Sequence, residues 1–166
     1  DVTHSAHLIN PDQYYDDPNF SAVLSGYRDE LHDTSFLVPI AGLHALKKLF
    51  HASNNQMLLL SSDKAYAHLD ELESLSHPSI TFHGSFSMMV NYDAIAKYFK
   101  VLGGDSYLVS HREGLKTTVF SLGRPLSELK NTSRSIQSLI DSFSPSDYFT
   151  YHRFISEHSS SASIEL

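Results

Sequence analysis

The middle of the chain contains a short, uninterrupted apolar run, Met57-Leu58-Leu59-Leu60, which constrains the fold more than any other feature. Asn54-Asn55 precedes this run, and the polar residues 61–64 end it. An apolar run of about four to eight residues between turn-forming residues is typical of a strand buried on both faces, as in a parallel sheet. We therefore predict one buried parallel strand here, with a neighbouring strand on each side.

Apolar side chains recur at helical spacing on both sides of this strand. Asp17 and Pro18 favour a helix start, because aspartate caps helices and proline fits their first turn. A further helix is expected after Thr34 or Ser35, either of which can be its N-cap. The aromatic residues near position 150 are expected to cover a face of the sheet or a neighbouring domain. Helices are predicted at residues 18–32, 35–53, 91–103, 129–143 and 148–155, with a short helix or a loop at 66–75.

A crossover helix and a hairpin follow the apolar run. Asn91 can cap the helix, and Gly103-Gly104 supplies a left-handed C-cap. Two β-rich runs, 106–111 and 116–122, are joined by a tight connection and predict an antiparallel hairpin. One buried parallel strand, a crossover helix and a closing antiparallel hairpin, with flanking helices, define a mixed α/β fold.

Composition excludes several classes of protein. The 166 residues include 19 acidic and 12 basic side chains, for a net charge of −7, which argues against non-specific nucleic-acid binding. The absence of cysteine excludes a disulfide scaffold, a thiolate zinc site and a cysteine nucleophile. No apolar run approaches the roughly 18–20 residues of a membrane span. We expect a soluble protein with no nucleic-acid or membrane partner, in the cytoplasm or an organelle.

Two further kinds of site are not expected from the motifs. The 11 histidines are scattered, and no His-Glu-x-x-His motif is present, so we predict no metal site. The segment Gly84-Ser85-Phe86-Ser87 does not have the Gly-x-Ser-x-Gly arrangement of a hydrolase nucleophile elbow.

The order of these elements resembles the C-terminal half of the class I S-adenosylmethionine-dependent methyltransferase fold. The segments that carry the resemblance lie between residues 35 and 123. It is similar in particular to the family of the mitochondrial complex I assembly arginine methyltransferase and its bacterial relatives. The matching segments are Leu60-Ser61-Ser62-Asp63, Val90-Asn91-Tyr92, Gly103-Gly104 and Leu122-Gly123.

The resemblance implies a Rossmann-like sheet in which residues 57–62 form the fifth strand and the hairpin supplies strands six and seven. In the complete fold, the fourth and seventh strands flank the fifth. The glycine-rich turn that holds the cofactor in this fold is not found in this chain, so no cofactor-binding residue is assigned here. S-adenosylmethionine is expected in the full-length protein, held by an upstream half, and not by this chain alone. The bare strand edge predicts poor solubility or oligomers.

The resemblance also implies a division of the chain and a function. We predict an irregular segment at 1–17, a partial methyltransferase-like domain at 18–123, a helical extension at 124–157 and a disordered tail at 158–166. The implied activity is methyl transfer to a protein side chain. The alternative is a non-catalytic α/β module that kept this fold and acts in protein interaction.

Ligands of open α/β sheets collect at the carboxyl ends of the strands, which selects five candidate residues. Asp63 is a candidate catalytic residue, because a carboxylate pairs well with a guanidinium acceptor; a solvated loop carboxylate is the alternative. His83 is a candidate general base, because imidazole titrates near neutrality; a turn and capping segment is the alternative. Lys64, Ser85 and Asn91 are assigned to the wall of the acceptor pocket.

Overall fold

A computed structural model describes residues 5–78, 80–109, 115–142 and 145–159. They form a mixed α/β fold. Short 3-10 turns occur at Pro11–Gln13, Leu69–Leu72 and Leu126–Glu128. The helices and strands, in chain order, are α1 (Pro18–Glu30), α2 (Ile40–Ala52), β1 (Met57–Tyr66), β2 (Ile80–Phe82), β3 (Phe86–Met88), β4 (Val90–Asn91), α3 (Tyr92–Val101), β5 (Asp105–Tyr107), β6 (Leu115–Leu122), α4 (Lys130–Ile140) and α5 (Pro145–His158).

The predicted caps of α1 and α3 are confirmed. The Asp17 carboxylate accepts the Asn19 N–H at 2.9 Å, and the Asn91 side chain accepts the Ala94 N–H at 2.9 Å. Gly103 follows α3 with a φ of +77°, the left-handed conformation that glycine adopts without a steric penalty. The two caps explain why α1 and α3 begin where the sequence predicts, whereas α1 ends at Glu30, two residues before the predicted end.

The cap predicted for α2 is wrong. This helix begins at Ile40, and neither Thr34 nor Ser35 caps it. The Thr34 hydroxyl instead donates to the Leu72 carbonyl and accepts the Leu75 N–H at 3.2 Å. Thr34 therefore joins the segment before α2 to the loop after β1. The short helix predicted at 66–75 is limited to the 3-10 turn, because β1 continues through Tyr66.

The main sheet has the strand order β4-β1-β6-β5. Strand β6 is antiparallel to β1, from Met57 opposite Leu122 to Lys64 opposite Leu115, and it is also antiparallel to β5. Strands β1 and β5 therefore run in the same direction, with β6 reversed between them. The predicted antiparallel pairing is confirmed for 105–107 and 119–121, whereas residues 110–114 of the predicted hairpin lie outside the described residues.

The prediction of one buried parallel strand at residues 57–60 is wrong in two respects. The long-range partner of this segment is antiparallel, and its parallel pairing with β4 is limited to Ala65 and Tyr66. Leu58 and Leu60 are 52% and 66% exposed, because no helix or strand of the described residues covers that face of β1. The most buried strand of the sheet is β6.

Helices cover the two faces of the sheet unequally. On one face α1, α2 and α3 build the larger core, in which the Phe99 and Phe120 rings lie 5.1 Å apart. On the other face α4 forms a smaller cluster in which Ile136 packs with Val119 and Leu126. Helix α5 contacts β6, but it does not bury its own apolar side chains there. Its large apolar side chains are more than half exposed: Tyr148, Phe149, Tyr151, Phe154 and Ile155.

Candidate functional site

A pair of hydroxyls links β1 to the first residue of α3. The Ser61 Oγ and the Tyr92 Oη lie 2.8 Å apart, and the Tyr92 side chain is buried. Burial raises the pKa of the Tyr92 hydroxyl, and the Asp63 charge raises it further. The phenol therefore stays protonated at neutral pH and remains available as a hydrogen-bond donor.

A buried ion pair lies where β6 begins. Lys116 is only 2% exposed, and its ammonium group contacts the Glu71 carboxylate. Glu71 also accepts the backbone N–H groups of Ala67 at 2.7 Å and His68 at 3.1 Å. Burial acts to raise the pKa of Glu71, but Lys116 and the two N–H groups outweigh it and hold the pKa below its usual value. The pair attaches the turn after β1 to the sheet.

Asp63 and Lys64 lie inside β1 and not where the strand leaves the sheet, which corrects their predicted position. The strand continues to Tyr66, and Asp63 is in register with Lys116 of β6. Both side chains are exposed. The Asp63 carboxylate accepts the N–H of Lys64 at 2.7 Å. The exposed carboxylate thus retains acceptor capacity for a cationic group from solvent.

His83 and Ser85 lie at the turn of a separate two-stranded sheet formed by β2 and β3. The two ring nitrogens of His83 lie 3.3 Å from the hydroxyls of Ser85 and Ser87, and all three residues are exposed. Among the described residues, no hydrogen bond or ion pair joins His83 or Ser85 to Asp63. This geometry matches the turn-segment alternative for His83.

Asn91 is buried and its side chain serves the fold. It caps α3, donates to the Leu37 carbonyl at 3.1 Å and lies 3.4 Å from the Tyr27 hydroxyl. Tyr27 also donates to Asp93 at 2.6 Å, so α1 and α3 are joined at this point. The amide that was assigned to an acceptor pocket is therefore engaged in structural hydrogen bonds.

Sequence reasoning missed four residues of this region: Ser61, Glu71, Tyr92 and Lys116. Ser61 and Tyr92 were present only in the segments that carry the resemblance, and Lys116 stood only at the edge of a predicted strand. No local pattern indicates that Glu71 and Lys116 meet, since 45 positions separate them. Their pairing follows from the register of β1 and β6. Together with Asp63 they place acidic, basic and hydroxyl groups at the carboxyl end of β1.

Three observations concern cofactors and membranes. In the described part of the chain, no three histidine or carboxylate side chains are grouped to hold a metal ion. In the same residues, no helix combines the length and apolarity needed to cross a membrane. The chain after β1 enters the 3-10 turn Leu69–Leu72, which contains no glycine.

We compared the chain with protein-family models, with curated proteins and with solved structures, and none of the three comparisons gave a match.

Proposed function

We propose that this chain is the C-terminal portion of an S-adenosylmethionine-dependent methyltransferase that modifies a protein side chain. In this proposal a segment upstream of this chain forms the half of the domain that binds the cofactor. This chain contributes the closing strands of the sheet and one wall of the acceptor pocket. Fold alone does not assign an activity, so the proposal is tied to specific observations and to an experiment.

The observation that carries the proposal is the position of β6 between β1 and β5. Strands β1 and β5 run in one direction, α3 lies between them along the chain, and β6 is inserted antiparallel to both. Class I methyltransferase sheets close in the same way, with the seventh strand between the fifth and the sixth. A simple meander would instead place β5 next to β1.

The free edge of β1 supports an upstream partner. Between Met57 and Lys64, the described residues place no strand on the side of β1 away from β6. Leu58 and Leu60 are exposed on the adjoining face. An apolar edge strand tends to associate with other chains unless another strand or a helix covers it. In the proposed complete domain, a fourth parallel strand lies along this edge.

Asp63 is the residue proposed to face a cationic acceptor such as a guanidinium group. It is exposed, it lies toward the carboxyl end of β1, and its carboxylate has capacity for further hydrogen bonds. Tyr92 and the Glu71–Lys116 pair hold the backbone around it. Alignment and charge complementarity supply much of what a group transfer needs, so this wall acts by positioning the acceptor.

Two measurements test the proposal. Calorimetric titration of this chain with S-adenosylmethionine is expected to show no micromolar binding, and micromolar binding would overturn the assignment of the cofactor to an upstream half. The parent protein is expected to contain a glycine-rich turn between a strand and a helix, followed by an acidic strand end. The absence of both from the parent would overturn the enzyme assignment.

The parent protein also tests the role of Asp63. With a labelled methyl donor, Asp63→Asn is expected to lower methyl transfer to protein and to leave cofactor binding unchanged. Glu128→Gln is a matched control, because Glu128 is an exposed carboxylate in the 3-10 turn after β6, away from Asp63 in the chain. Equal activity of the two variants would remove Asp63 from the acceptor pocket.

The exposed face of α5 favours a second candidate function, a non-catalytic interaction module. Aromatic side chains such as Phe149 and Tyr151 are enriched where proteins meet, and a cluster of exposed apolar groups is unusual on an isolated domain. A parent sequence without the glycine-rich turn would favour this candidate over the enzyme.

A further inference from the structure

A concave site lies at the opposite end of β1 from Asp63. A pocket of about 470 Å³ opens between the ends of α1, α2 and α3 and the start of the loop after β6. Gly123, in the wall, has a φ of +86°, and a Cβ there would lie 2.7 Å from the Asn55 carbonyl oxygen. About 300–1,000 Å³ is the usual size of a small-molecule pocket. The distance along β1 from Met57 to Asp63 is roughly 20 Å, so the two sites are separate.

The floor of the pocket is apolar and its rim is basic. Phe50, Leu102 and Leu122 contribute to the floor. Lys47 and Arg124 lie among the lining residues, and no aspartate or glutamate does. The charge of the lining differs from that of the whole chain, in which acidic side chains outnumber basic ones by 19 to 12.

The neighbouring carboxylates neutralise the rim only in part. Asp17 lies 2.6 Å from the Lys47 ammonium and also caps α1, so Lys47 is already paired. Glu128 approaches Arg124 only to 3.8 Å, and both of these side chains are 60% exposed. Arg124 therefore keeps most of its hydrogen-bonding capacity for a ligand.

Tyr98 adds a donor inside the pocket. Its side chain is 1% exposed, it lines the pocket, and its hydroxyl makes no hydrogen bond with any described residue. Burial, followed by the charge of Asp17, raises the pKa of Tyr98 to about 12. The hydroxyl stays protonated at neutral pH. A ligand in the pocket can accept a hydrogen bond from this hydroxyl.

We propose that this pocket binds a small organic carboxylate whose apolar body lies on Phe50 and Leu102 and whose carboxylate is held by Arg124. The Tyr98 hydroxyl supplies a further hydrogen bond inside the pocket. The proposal does not depend on the methyltransferase assignment, because every group it uses lies at the other end of the sheet.

The test uses 4-phenylbutyrate as the probe and 4-phenylbutanol as its neutral analogue, each titrated into the ¹⁵N-labelled chain. The carboxylate is expected to bind at submillimolar to millimolar concentration and to shift the amide signals of Gly103, Gly123 and Asn55. The alcohol is expected to bind about five- to tenfold more weakly, since it forgoes the charged hydrogen bond.

Two variants locate the binding. Arg124→Gln is expected to weaken carboxylate binding about five- to tenfold and to leave alcohol binding unchanged. Lys100→Gln is the matched control, because Lys100 is an exposed cation of α3 outside the pocket lining. Leu102→Trp fills the pocket, and circular dichroism checks that this variant folds. Equal affinities of the two probes, unchanged binding by Arg124→Gln, or shifts confined to α5 would each overturn the proposal.

Discussion

Strands β1 and β6 are adjacent in the sheet, yet the strand with the more apolar run is the more exposed one. β1 contains three consecutive leucines and exposes two of them. β6 reads Leu-Lys-Thr-Thr-Val-Phe-Ser-Leu, and its residues are largely buried, including Lys116. Burial follows position in the sheet. β6 has a strand on each side and helices on both faces, whereas the described residues leave β1 with an open edge from Met57 to Lys64 and one uncovered face.

The two strands also differ in how their unfavourable groups are compensated. Two buried polar groups of β6 are compensated, because Lys116 has Glu71 and the Ser121 hydroxyl donates to the Arg124 carbonyl. The exposed leucines of β1 have no comparable compensation, because apolar surface in contact with water is unfavourable in free energy. A strand with this composition on an open edge suits a further strand or a partner, and the proposed upstream half supplies one.

Truncation of apolar side chains in the two strands is expected to show the largest contrast. Phe120→Ala removes a ring that contacts Tyr92 and Phe99 in the core, and we expect it to cost about 3–5 kcal/mol of unfolding free energy. Leu60→Ala is expected to change the free energy of unfolding by no more than about 0.5 kcal/mol. Urea denaturation of both variants measures this. Similar losses would mean that the outer face of β1 is covered in solution.

The ion pair of β6 predicts a pH-dependent effect of intermediate size. Glu71→Gln leaves Lys116 buried without its counter-charge and is expected to cost about 1–3 kcal/mol at pH 7. The pKa of Glu71 lies below its ordinary value of 4.5 in the folded state, so the stabilisation is present above about pH 4.5. It is lost as the pH falls through the lower, folded-state pKa.

The stability difference between wild type and Glu71→Gln should therefore shrink as the pH falls below about 4.5 and through the lowered folded-state pKa of Glu71. Urea denaturation at several pH values measures it. Glu128→Gln is the control, because its partner Arg124 is 3.8 Å away and both side chains are largely exposed. A difference that stays constant from neutral to acidic pH would show that the Glu71 carboxylate does not stabilise the fold.

The smallest expected effect on folding comes from charging the outer face of β1. The double variant Leu58→Lys and Leu60→Lys should alter the free energy of unfolding by no more than about 0.5 kcal/mol. It should nevertheless shift the chain from oligomer toward monomer in size-exclusion chromatography, because lysines on an edge strand discourage pairing. Phe82→Lys with Phe86→Lys, an exposed cross-strand pair elsewhere, is the control. A monodisperse wild-type monomer would contradict the prediction.

Several parts of the fold could be predicted because they depend on neighbours in the chain. The caps at Asp17 and Asn91 and the left-handed Gly103 all act over a few residues. The antiparallel partner of residues 116–122 is also close in sequence. The candidate site was less predictable. Asp63 was expected at a strand end and lies within β1, and His83 lies on a separate hairpin.

The sequence by itself determined the approximate positions of the long helices and main strands and the mixed α/β class, because caps, turns and periodicity are local. Tertiary structure decided which strand is central, that Leu58 and Leu60 remain exposed, and that Glu71 meets Lys116. These outcomes depend on strand order and register, which bring together residues tens of positions apart. Local hydrophobicity carries little information about such pairings, because a leucine-rich strand forms equally well at the centre of a sheet and at its edge.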